Sequence, residues 1–338
     1  MSDPADAAGL VRVDVLTGFL GSGKTSLVRR MIESGALADA AILVNEFAGL
    51  PVDQSLIALS GATASLVGDR CLCCVADGNL RAALLGMIEG RASGSLPPFT
   101  RILVETSGLA DPTSLLAALA SDPMLRPRLK AGRVVTLVDL CHGLATLEES
   151  DEAMAQILAA DILMLTKADL AAPEAADTLT ERLAALNPIA RITAAVDDPF
   201  DRDALPDQTL TGLPARRFWA IPAATRHGAI AAVVITTDAP VEWARFAAWL
   251  SLLLHRHGTA ILRIKGKVGI TVGGAVSSVV IQSVRHVVHR PEHLPAKDAD
   301  GSTTLVVIAR DIAPERVVRS FRRHVVGAIA VEQTRAAG

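Results

Sequence analysis

Gly18-Phe19-Leu20-Gly21-Ser22-Gly23-Lys24-Thr25 decides the reading of this chain. The octet satisfies the P-loop pattern G-x-x-x-x-G-K-[ST] at every fixed position. Before it, Val11-Arg12-Val13-Asp14-Val15-Leu16 alternates apolar and polar residues as a strand does, and residues 26–33 after it read as a helix. Strand, loop and helix are the setting this motif requires. Gly18, Gly21 and Gly23 let the backbone curl with its N–H groups inward around a phosphate, and Ser22 and Ser26 complete the cradle at the helix start. Lys24 is expected to reach the β- and γ-phosphates, and Thr25 to offer its hydroxyl to Mg²⁺. The octet predicts nucleoside triphosphate binding.

Working outward, residues 12–16, 41–44, 102–105, 134–138 and 162–165 are short runs rich in Val, Ile and Leu. Helix-like segments lie between them, near 26–33, 79–89, 114–120, 152–158 and 175–186. This alternation predicts an α/β fold, a P-loop NTPase domain with a mostly parallel sheet covered on both faces. The rhythm is lost where Asp, Pro, Thr and Gly crowd together. We expect a P-loop domain over 1–196, a linker over 197–215 and a smaller α+β C-terminal domain over 216–338. In the last, strands are expected at 232–236, 260–264, 278–283, 285–289 and 304–308, with helices at 241–254 and 314–324.

Two further elements bear on the nucleotide. Ile102-Leu103-Val104-Glu105-Thr106-Ser107-Gly108 is an apolar strand ending in an acid, which sets Glu105 beside the P-loop to hold the water shell of Mg²⁺. Gly108 then allows a backbone N–H to approach the γ-phosphate. Thr166-Lys167-Ala168-Asp169 fits [NT]-K-x-D, in which the Asp169 carboxylate accepts hydrogen bonds from guanine N1–H and its exocyclic amine. Adenine lacks that pair of donors, so GTP is the expected nucleotide. Lys24, Thr25 and Glu105 are the expected catalytic set.

Cys71-Leu72-Cys73-Cys74 packs three of the chain's four cysteines into four residues. That spacing is poor for disulfides and good for a soft transition metal, zinc first and cobalt second. The fourth cysteine, Cys141, stands alone. Lys plus Arg total 33 and Asp plus Glu 36, for a formal charge of −3, with no basic run. No nucleic-acid partner is expected. The acidic N-terminus has no signal-peptide core, and the longest uncharged stretch, 268–284, is broken by glycines into two short strands and a turn. A cytoplasmic protein without membrane contact is expected.

With these motifs in place, the chain resembles the CobW-type GTPases, metallochaperone-type proteins in the wider group that holds the urease and hydrogenase nickel-insertion GTPases. The likeness runs from about Val11 to Arg319. It rests on the stretch Leu16 to Thr25, Val44-Asn45-Glu46-Phe47, the Cys-x-Cys-Cys run, Glu105-Thr106-Ser107-Gly108-Leu109-Ala110-Asp111-Pro112 and Thr166 to Asp169. In the second half, Leu262-Arg263-Ile264-Lys265-Gly266 and Ile308-Ala309-Arg310-Asp311 are similar to the family's C-terminal domain. The resemblance implies a GTPase that hands metal to a client metalloprotein, with homodimerisation open to it and with Glu46 beside the cysteines as a metal ligand. Ala48 and Gly49 stand where relatives often carry Gly-Glu, which removes a second carboxylate. Arg226-His227-Gly228 is all that remains near the family's His-rich tract. Two other classes fit the motifs: a metal-binding regulator that uses GTP without significant turnover, and a P-loop kinase acting on a small molecule.

Overall fold

The computed structural model describes residues 9–44, 64–66, 78–194, 199–200, 218–220, 228–295 and 299–327. The chain divides into two compact units, Met1–Ala184 with Ala190–Gln208, and Ala185–Ile189 with Thr209–Gly338.

The first unit is built on a seven-stranded sheet of β1 (Val11–Gly18), β2 (Ala40–Val44), β3 (Ala64–Leu66), β4 (Arg101–Glu105), β5 (Leu129–Asp139), β6 (Ile162–Thr166) and β7 (Arg191–Ala194). Their order is β3-β2-β4-β1-β5-β6-β7, and every pairing is parallel. The apolar runs therefore lie where a sheet buried on both faces needs them. Register fixes what shares the carboxyl edge: Leu16 lies opposite Glu105, Gly18 opposite Leu137, and Asp139 opposite Thr166. Loops at that edge are where open α/β sheets bind ligands.

Around the sheet run α1 (Lys24–Glu33), α2 (Gly78–Ser93), α3 (Thr113–Ser121), α4 (Gly143–Glu149), α5 (Asp151–Ala159) and α6 (Pro173–Leu186). Helix α1 buries Leu27, Val28 and Met31, one helical stripe, in a core with Leu16, Ile42, Leu103, Val135 and Met164. Phe200, inside the expected linker, is buried in that same core, so the packing of this unit runs past residue 196.

The second unit carries an eight-stranded sheet. Its path is β13 (Val287–Val288), β12 (Ala275–Val284), β11 (Ile261–Val272), β15 (Thr303–Arg310), β9 (Ile230–Thr237) and β8 (Phe218–Ala220). β10 (Val241–Glu242) pairs with β11, and β14 (Glu292–His293) with β12. All pairings but β10 with β11 are antiparallel. One face is covered by α7 (Trp243–His257) and α8 (Pro314–Phe321), whose Phe246, Trp249 and Phe321 join Ile264, Val268 and Val307 in one core. The Trp249 and Phe321 rings meet edge to face at 5.0 Å.

Some expectations change. The strand expected over 285–289 is reduced to β13, because Arg285 turns the chain with φ 50°. The helix expected from Val241 starts at Trp243, because the Glu242 side chain accepts from the Ala244 and Arg245 amides and caps it. Among the described residues no helix is long and apolar enough to cross a membrane.

Candidate functional site

The P-loop leaves β1 through Gly18, where φ is 143° and a Cβ would lie 2.6 Å from the Leu137 carbonyl oxygen and 2.7 Å from Ser22 Oγ. No side chain fits there. Gly21 and Gly23 also take positive φ, and Gly23 caps α1 without any side-chain hydrogen bond. The first-turn N–H groups, which have no partner within a helix, are thus left for a phosphate. Ser26 is exposed in that first turn.

Lys24 is buried, and its ammonium donates to the carbonyl oxygens of Gly18 at 2.7 Å and Phe19 at 3.2 Å. Burial pushes its pKa down, and the Glu105 carboxylate partly offsets this. Thr25 Oγ1 donates to Glu105 Oε1 at 2.9 Å, across 80 residues of sequence. A hydroxyl from the first turn of α1 and a carboxylate from the end of β4 are thus side by side. Thr106 Oγ1, one residue past the end of β4, donates to Thr17 Oγ1 of β1 at 2.8 Å and ties the ends of those two strands together. Gly108 lies against the P-loop, since a Cβ there would sit 2.8 Å from the Leu20 amide nitrogen.

The third motif joins from β6. Thr166 Oγ1 donates to the Ser22 carbonyl oxygen at 3.0 Å, linking the start of the Thr166–Asp169 motif to the P-loop. Lys167 adopts φ 59°, a region non-glycine residues seldom occupy. Its ammonium donates to Asp139 Oδ2 at 2.6 Å. Burial alone would raise the Asp139 pKa, but the Lys167 contact and the Cys141 N–H outweigh it and hold the carboxyl below its ordinary range. Asp169 is exposed on the turn that follows. A cavity of about 260 Å³ beside the loop is lined by Phe19, Leu20, Thr136, His142, Gln156 and Lys167.

The three nucleotide motifs are therefore together at one sheet edge. Cys71, Cys73, Cys74 and Glu46 lie outside the described residues, and among the described residues no group of three metal-ligating side chains occurs. Asp139 and Gln156 were not anticipated. Asp139 ends an apolar strand as Glu105 does, a signal present in the sequence; Gln156 sits in a helix with no motif around it.

Comparison with known proteins agrees with this geometry. Residues 12–194 match the CobW/HypB/UreG nucleotide-binding domain, and residues 230–325 the cobalamin synthesis protein CobW C-terminal domain. The zinc chaperone YjiA of Escherichia coli (strain K12) is 27% identical over 319 residues, covering 92% of this chain and 98% of its own. The zinc-regulated GTPase metalloprotein activator 1 of Schizosaccharomyces pombe is 32% identical over 190 residues, 54% of this chain and 45% of that one. The crystal structure of zinc(II)-bound YjiA GTPase from E. coli shares the fold, with a TM-score of 0.69 at 24% identity over 93% of this chain and 99% of that one. With its P-loop, its acid-ended neighbouring strand and both domain matches in sequence order, the chain belongs to the CobW/HypB/UreG family.

Proposed function

We propose that this protein is a Mg²⁺-dependent GTPase that binds a transition metal at Cys71, Cys73, Cys74 and Glu46 and delivers it to a client protein, with hydrolysis coupled to transfer. The observation that carries the GTPase reading is the Thr25–Glu105 hydrogen bond at 2.9 Å beside the buried Lys24. Hard oxygen donors of this kind suit Mg²⁺, which keeps much of its water shell. When bound, that ion would offset charge developing on the phosphates. Lys24 holds the β- and γ-phosphates, the P-loop amides from Gly21 to Ser26 surround them, and Gly108 approaches the terminal one. Asp169 reads guanine, with Thr166 and Lys167 fixing its loop.

Zinc is the favoured cargo and cobalt the second. Three thiolates are soft donors, and relatives covering most of this chain are zinc chaperones. A cytoplasmic setting suits such thiolates, because they must stay reduced. The test is steady release of free phosphate from excess Mg·GTP with no acceptor present. We expect turnover, its loss in Lys24→Ala, and zinc binding that disappears when the three cysteines become serine. Zinc binding without turnover would leave a regulator; phosphate release only with an added small-molecule acceptor would leave a kinase.

A further inference from the structure

Gln156 is almost wholly buried in α5, with 1% of its surface exposed. Its Nε2 donates to two main-chain carbonyl oxygens, those of Gly108 and Ala110, each at 3.0 Å. Both partners are acceptors, so the amide orientation is fixed by chemistry: only the NH₂ end can face them, and both its hydrogens are engaged. The helix is anchored in turn, because Thr136 Oγ1 of β5 donates to the Gln156 carbonyl oxygen at 2.8 Å. The far side of the gripped segment is the P-loop, where the Gly108 Cα packs too closely on the Leu20 backbone to admit a Cβ.

We infer that Gln156 is a positioning residue for the nucleotide's terminal phosphate: its carboxamide clamps the backbone from Gly108 to Ala110 against the P-loop, so that the Gly108 N–H is preset for the γ-phosphate. The inference rests on the GTPase reading above. The Ala110 N–H donates to the Ser107 carbonyl oxygen at 3.1 Å, and that carbonyl shares a rigid peptide plane with the Gly108 N–H, so holding the turn from Gly108 to Ala110 holds the direction of the Gly108 amide. Preset donors act without reorganising when charge develops, which is where such groups are worth most. GDP has no γ-phosphate, so the clamp should matter to GTP and be indifferent to GDP.

Gln156→Met keeps the side-chain length and removes both donors. Affinities for GDP and for a non-hydrolysable GTP analogue, measured by calorimetry, should show the analogue weakened about tenfold, the worth of roughly one hydrogen bond, with GDP unchanged. In the same variant kcat for GTP should fall by at least as much. Thr136→Val leaves the two carbonyls paired while loosening the helix that carries Gln156; it should shift the affinity ratio less but in the same direction, and serves if the Met variant does not fold. A parallel loss for both nucleotides, no change in either, or a tighter analogue would each overturn the clamp. The ratio is read without turnover. A parent protein that binds both nucleotides but never releases phosphate would therefore defeat the proposed function and leave this inference to stand or fall on the ratio.

Discussion

Lys24 and Glu105 share one electrostatic problem. Burial pulls the lysine pKa down, and the carboxylate beside it pushes back, so a change at Glu105 retunes Lys24. Glu105→Gln removes that push. Lys24 should then lose its proton at lower pH, and the alkaline limb of GDP binding should move down the pH scale. Calorimetric titrations of parent and variant through the alkaline range read this directly; superimposed limbs would show that the two charges do not communicate. At neutral pH the same variant should retain much of its nucleotide affinity while phosphate release slows. Asp169 carries a separate expectation. GTP should bind at least tenfold more tightly than ATP, a difference of about 1.4 kcal/mol. Asp169→Asn should favour xanthosine nucleotides, whose added carbonyl can pair with an amide donor. Equal parental affinities for GTP and ATP would remove Asp169 from base reading.

At the level of elements, the ends of β5 and β6 are joined by the Asp139–Lys167 pair, and this join is pH-sensitive. The folded carboxyl titrates below its ordinary 3.8, so its extra stability is present above that value and is lost as pH falls through the lower folded one. Asp139→Asn should therefore lower stability at neutral pH by less than about 1 kcal/mol, since Lys167 is partly exposed and solvent screens the pair. Parent and variant should converge in acid. Urea unfolding at both ends of the range checks it, and a gap that persists in acid would mean that Asp139 acts through packing. Elements with a strong local signature were legible in the sequence: the apolar β1, β2, β4, β5 and β6, and the three motifs that follow β1, β4 and β6. β7 was missed because Arg191 and Thr193 break its apolar run, and α4 because it opens on a glycine. β11 looked short because Lys265, Gly266 and Lys267 dilute it, yet it continues to Val272 and turns at Gly273-Gly274 into β12. Gln156 was invisible for another reason. It acts on a carbonyl 48 residues away, and a lone glutamine in a helix carries no spacing to read.

For the whole molecule, the central prediction concerns two ligands on one chain. If GTP tightens metal, metal must tighten GTP by the same factor. A coupling of about 1–3 kcal/mol would change apparent zinc affinity roughly five- to 150-fold between nucleotide states. Zinc titrated against a chromophoric competitor, with GDP and then with a non-hydrolysable GTP analogue, measures it. Identical curves would end the delivery mechanism even if zinc binds. The pairing of β1 has a consequence of another kind. Among the described strands it is the first to be synthesised, yet its two neighbours are β4 and β5, which end at Glu105 and Asp139. Long-range parallel pairing of this sort is slow to form, and it leaves apolar strand edges bare meanwhile. A nascent chain thus carries its P-loop without both neighbouring strands until Asp139 has been made. Nucleotide capture by a growing chain would mark the moment its sheet closes.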